Sequence, residues 1–235
     1  MVARSYRLAR NCILAGLLWL APSALGQLLV KPDTPQLNRA SLDLILSFEV
    51  GDTTGQYYTR YLIHPEWPGA ASGVTWGVGF DGGYNSREVI LRDWALLEGP
   101  EERLSHTAGI TGSRAKAILP QYRDIKVPYA AATIVFNDVT LSRFWSLTRR
   151  TFPGFDQLRP NAQGALVSLV FNRGSDLTGE RRREMRRIKD LVPHQDYAGI
   201  AGQIRAMKRL WPLSSDVGEG LQRRREAEAR LLETP

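Results

Sequence analysis

The 235-residue chain is 43% hydrophobic and 23% charged, with a net charge of +7; that apolar fraction supplies a core and argues against an intrinsically disordered chain. Its one cysteine, Cys12, excludes a disulfide framework within the chain and a thiolate metal site. The basic excess suits an anionic polymer, a bacterial wall or a nucleic acid, and does not choose between them.

Arg4, Arg7 and Arg10 precede an uncharged stretch from Cys12 to Leu25, with small residues following at Ala24 and Gly26. This is the pattern of a secretory signal, so residues 1–26 are expected to be cleaved and the protein to be secreted or periplasmic. The apolar run is shorter than the ~20 residues that a membrane-spanning helix needs. An uncleaved anchor and a buried N-terminal helix are the alternatives. Cleavage would remove Cys12 and three arginines but no acid, lowering the net charge from +7 to +4. Residues 27–36, with two prolines, read as a short lead-in to one domain over 37–235, with no internal repeat or linker inside it.

Asn38 is placed to cap a helix whose apolar stripe is Leu42, Ile45 and Leu46, with Gly51 as its stop. Tyr57 to Ile63 and Gly73 to Phe80, rich in β-branched and aromatic residues, are the expected strands. Beyond Asp81 the periodicity is helical: Ser86 caps Arg87 to Leu97, and further helices are expected over about 113–119, 129–136, 140–150, 160–172, 180–191, 196–210 and 220–233. The fold class is therefore α+β, a small sheet near the N-terminus with a larger helical lobe.

Four segments carry candidate chemistry. Glu49 follows Leu42, Ile45 and Leu46 by seven, four and three residues, at the end of the apolar stripe. Burial there favours the protonated form that a general acid needs, whereas a frayed helix end would leave it an ordinary surface glutamate. In the run from Gly73 to Asp81, alternation puts Val74, Trp76, Val78 and Phe80 on one face. Thr75, Gly77, Gly79 and Asp81 take the other, a flat face that a polymer could approach, unless the glycines only mark a bulge or bend. Gly164 to Gly174 reads as a buried helix with a glycine stop, and the amide of Asn172 suits a sugar hydroxyl or acetamido group. Gly220 to Glu228, like the run with Arg181, Arg182, Arg183, Arg186 and Arg187, is an arginine-dense helix whose charges ordinarily form a solvated face.

In this order and at roughly these spacings, the four segments resemble glycoside hydrolase family 24, the phage-type lysozymes or muramidases. Phe48-Glu49 before Gly51 resembles the family's helix ending in its catalytic glutamate, and Thr75-Trp76-Gly77-Val78-Gly79 its strand of the form T-x-G-x-G. Ala165 to Gly174 resembles its central helix ending F-N-x-G, and Gly220 to Glu228 its C-terminal G-L-x-x-R-R-x-A-E helix. The position of the common phage aspartate, six residues before the threonine, is Gly69; the chain instead has Asp81 six residues after Thr75, the order of the pesticin-like subgroup.

The resemblance implies a lysozyme-like fold with a small antiparallel sheet, and hydrolysis of the β-1,4 bond between N-acetylmuramic acid and N-acetylglucosamine in peptidoglycan by a monomer that needs no cofactor. It casts Glu49 as general acid, Asp81 as the carboxylate that activates water or stabilises developing positive charge, and Thr75 as the positioner of that water. Asn172, the possible sugar platform Trp67, and Arg223 and Arg224 are the expected substrate contacts. One difficulty remains: six residues of straight strand span ~20 Å, whereas hydrolase carboxyl pairs sit ~5 to 9.5 Å apart. Thr75 and Asp81 share a site only if the strand bends at Gly77 and Gly79. Glu66, in the His64 to Pro68 loop, is the rival second acid. His64, His106 and His194 are too scattered to suggest a metal. The competing functions are a wall-binding protein without turnover and an exported nucleic-acid binder resting on the arginine helices.

Overall fold

The computed structural model describes residues 37–51 and 54–235, so the expected leader and lead-in lie outside the described residues. The protein is mostly helical with one small two-stranded antiparallel sheet, an α+β arrangement. The described residues form two compact units: a hairpin unit within residues 49–140, and a helical unit that combines residues 37–48 with residues 141–235.

The helical unit opens with α1, Arg39–Glu49, whose last residue already belongs to the hairpin unit. Asn38 caps it as expected: its side-chain oxygen accepts from the Ser41 backbone N–H at 2.9 Å. Gly51, at φ 83°, stops the chain after Val50. The unit continues with α7, Ser142–Thr151; α8, Pro160–Arg173; α9, Arg183–Leu191; α10, Tyr197–Ala206; and α11, Asp216–Glu233. Pro160 presets the first turn of α8, and Gly174 ends it, its N–H returning to the Val170 carbonyl at 2.7 Å. Between them nearly every residue of α8 is buried, which makes this helix the centre of the unit, packed against α7 and α11. At Gly164 α8 lies close against α1, since a methyl group there would overlap the Ser41 side chain.

In the hairpin unit the first expected strand is a helix, α2, Gln56–Tyr61. Tyrosines at 57, 58 and 61 favour a strand by propensity, but the packing here rewards helical spacing. The Tyr57 and Tyr61 rings lie one turn apart with centroids 4.8 Å from each other, while Tyr58 turns fully inward and donates to the Val127 carbonyl at 3.0 Å. The second expected strand is also corrected. The run from Gly73 is a hairpin of two short strands, β1, Thr75–Trp76, and β2, Phe80–Asp81, paired Thr75 to Asp81 and Trp76 to Phe80. Gly77 and Gly79 take positive φ, 59° and 73°, which turns the chain at Val78.

Four α-helices follow the hairpin among the described residues of this unit: α3, Arg87–Asp93, capped by Ser86; α4, Pro100–Ser105; α5, Gly112–Ile118; and α6, Tyr129–Val135. Its core gathers on the hairpin. Val74, Trp76, Val78 and Phe80 are all buried, and the rings of Trp76, Phe80 and Trp94 meet with centroids 5.1 to 5.8 Å apart.

Candidate active site

Glu49 ends α1 where the apolar stripe leads it, and it is 6% exposed. Leu42 is half-buried, and Ile45 and Leu46 are buried beneath the same helix face. The helical period thus carries a carboxylate into the interior at the first position of the hairpin unit.

Within that unit the hairpin removes the distance problem posed by a straight strand. Thr75 and Asp81 lie directly opposite one another across β1 and β2. Thr75 spends its backbone on its other neighbour: its N–H and C=O exchange 2.8 Å hydrogen bonds with the C=O and N–H of Glu66. Facing residues in an antiparallel ladder have Cα atoms ~5.5 Å apart where they exchange hydrogen bonds and ~4.5 Å where they do not, and their side chains share a face. Glu66, Thr75 and Asp81 therefore form one row across three adjacent segments. The two rival carboxylates flank the same threonine.

What separates the rivals is how each is held. Asp81 is 5% exposed. Both of its carboxylate oxygens accept from the Gly73 N–H at 3.0 Å, and Oδ1 also accepts from the Gly83 N–H at 2.9 Å. Only glycine fits at position 73, because a methyl group there would overlap the Asp81 carboxylate. Burial pushes the Asp81 carboxyl up to about 6, against the opposing pull of the N–H groups of Gly73, Gly83 and Tyr84. Glu66 is half-buried in its loop. Thr75, 3% exposed, places its hydroxyl 3.4 Å from the Gly73 carbonyl, a long contact. The bare face expected here is thus closed: of Thr75, Gly77, Gly79 and Asp81, only Gly79 is exposed.

Trp67, next to Glu66, is half-buried. Its indole N–H is tied to the Ser72 carbonyl at 3.0 Å, and the Lys116 ammonium lies 5.3 Å from its ring centre. Tyr84 anchors the same loop from another side, donating to the Ala71 carbonyl at 2.9 Å.

The remaining expected contacts belong to the helical unit, where they have different environments. Asn172 is buried at the end of α8 and its side-chain oxygen accepts from Arg225 Nη2 at 2.9 Å. Arg224 is buried too, donating from Nε to Glu228 at 3.2 Å and from Nη2 to the Ser168 hydroxyl at 3.1 Å. Arg223 is 62% exposed and reaches Glu219 at 3.9 Å, as a solvated face predicts. Sequence reasoning missed the hub of this network. Glu228 Oε1 is shared by the Ser168 hydroxyl at 2.7 Å, by Arg224 and by Arg225 at 3.0 Å, with Arg225 and Glu228 both wholly buried. The signal was the spacing, since Arg224 and Arg225 precede Glu228 by four and three residues and so meet it on one helix face.

Among the described residues, no three His, Cys, Asp or Glu side chains converge as a metal-binding group, and no helix is long and apolar enough to cross a membrane. No family model matches the chain, and a search of curated proteins finds no match.

Proposed function

We propose that the protein is a muramidase of peptidoglycan in which Glu49 is the general acid. The observation that carries this reading is the pairing of Thr75 with Asp81 across a glycine turn, in the same compact unit as a buried glutamate at a helix end. A straight strand would hold the threonine and the aspartate apart; the turn at Gly77 and Gly79 sets them on a shared face. In the proposed reaction Glu49 protonates the glycosidic oxygen as the bond breaks, and positive charge develops at the sugar's anomeric carbon. Asp81 in its carboxylate form opposes that charge or takes a proton from the attacking water, with the Thr75 hydroxyl holding the water. A carboxyl pushed up to about 6 is a better proton acceptor than an ordinary aspartate. The hydrogen bonds from Gly73 and Gly83 fix its direction.

Mass spectrometry of the fragments released from purified peptidoglycan tests the reading. Muropeptides with a reducing N-acetylmuramic acid end are expected. Fragments with a reducing N-acetylglucosamine end, anhydro-sugar ends or no release at all would each reject it, and no release with retained wall binding would select the non-catalytic alternative.

A further inference from the structure

The hairpin unit is acidic, with eleven Asp and Glu against eight Lys and Arg over residues 49–140. Between Glu102 and Asp124, however, the chain carries no acid, and α5 lies in that stretch. Lys116 is exposed on it. Among the described residues no carboxylate pairs with Lys116, whose ammonium lies instead 5.3 Å from the centre of the Trp67 ring. An exposed lysine ordinarily samples many rotamers, and the indole face restrains this one.

The indole is itself fixed. The Ser72 carbonyl accepts from Trp67 Nε1 at 3.0 Å and from the N–H of Gly112, the first residue of α5, at 2.9 Å. Loop and helix thus meet at one oxygen. Lys116 follows Gly112 by four residues, one turn further along α5 on the same side. The bridge between Gly73 and Thr111 and the bond from Tyr84 to the Ala71 carbonyl add two further ties to this loop. Trp67 in turn follows Glu66, the outer member of the row with Thr75 and Asp81, so the lysine stands beside that row and not in it. A sugar stacked on the same face of the ring would displace the ammonium.

We propose that Lys116, held by Trp67, binds a carboxylate on the muramic acid side of the substrate, either on its lactyl group or on the peptide attached there. The inference rests on the muramidase reading and deepens it: this contact distinguishes a wall strand from an uncharged polymer of N-acetylglucosamine. Those carboxylates hang beside the glycosidic bond, as the lysine stands beside the row. Lys116 is then a specificity residue and Trp67 its positioning residue.

Equilibrium binding of soluble peptidoglycan fragments to the full chain tests this, in a Glu49→Gln background that leaves the fragments whole. The ligands are fragments with free peptide carboxylates, the same fragments with those carboxylates converted to amides, and peptide-free strands whose lactyl carboxylates are free. Conversion to amides is expected to weaken binding about 3- to 10-fold, the scale of one partly exposed contact to a charged group. Lys116→Gln should lose the same factor on the free fragments and nothing more on the amidated ones, whereas Lys116→Arg keeps most of the affinity. Binding of peptide-free strands that depends on Lys116 assigns the lactyl carboxylate; dependence seen with peptide-bearing fragments alone assigns the peptide. Equal losses from Lys116→Gln on free and amidated fragments, no loss on either, or free fragments that do not bind at all would each overturn the proposal. Turnover by the native protein separates the two readings. A chain that binds in this Lys116-dependent way but releases no muropeptide rejects the muramidase reaction and keeps the carboxylate contact.

Discussion

Replacing Glu49 by glutamine keeps the shape of a buried side chain at the end of α1 but leaves nothing to donate an acidic proton. Glu49→Gln is therefore expected to lower turnover on purified peptidoglycan by ~10²- to 10⁴-fold with little change in melting temperature; a variant that cleaves at near the native rate would remove Glu49 from its role. Asp81 predicts two pH effects. As a catalytic carboxylate it must be ionised, so kcat/KM should rise with pH through a limb near 6, the value to which burial pushes it. Asp81→Asn should cost at least ~10²-fold and abolish that limb, while Glu66→Gln stays within a few fold. For stability, a carboxyl raised above its ordinary 3.8 supports the folded state fully at low pH, and that support is lost as pH rises from about 4 through about 6. Unfolding titrations of Asp81→Asn should show this loss removed. A variant whose lost activity merely follows its lost stability would make Asp81 only the shaper of its turn.

Among the elements, α11 shows how much a charge pattern conceals. The run Arg223-Arg224-Arg225 reads as one solvated face, yet the first arginine is exposed and the next two are buried around Glu228. Glu228→Gln should lower stability by roughly 3–5 kcal/mol in chemical unfolding, because it leaves Arg224 and Arg225 without their shared carboxylate. Arg223→Ala should stay within about 0.5 kcal/mol. Local signals were legible in the sequence where they act locally: the caps at Asn38 and Ser86, the stop at Gly174 and the stripe that buries Glu49. Signals that depend on packing were not. Tyr57 to Tyr61 has strand propensity but is helical because Tyr58 is drawn into the core. The run from Gly73 to Asp81 alternates like one strand, and only the positive φ of Gly77 and Gly79 makes it a hairpin. The same turn decides whether Thr75 and Asp81 meet, which is why that half of the site was left open by periodicity.

At the scale of the molecule, the described residues form two compact units, each with its own buried core. The N-terminal pattern of three arginines, an apolar stretch and Ala24-x-Gly26 lies outside those residues, and it makes the largest claim about the protein as a whole. Material recovered outside the cytoplasm should begin near Gln27 on N-terminal sequencing. A soluble cytoplasmic protein beginning at Met1 would refute export and leave the proposed muramidase reading without access to its substrate.

The hairpin also acts as a ruler. Thr75 reaches Asp81 because five residues separate them around a turn at Val78. One extra residue in that turn would shift the register of β2 by one and send the aspartate to the opposite side of the sheet. Such a chain would still contain every letter of the threonine, glycine and aspartate signature. Whether a related sequence keeps this site is thus answered by loop length before residue identity, and single-residue insertions between Gly77 and Gly79 are the changes that would silence it without touching an acid.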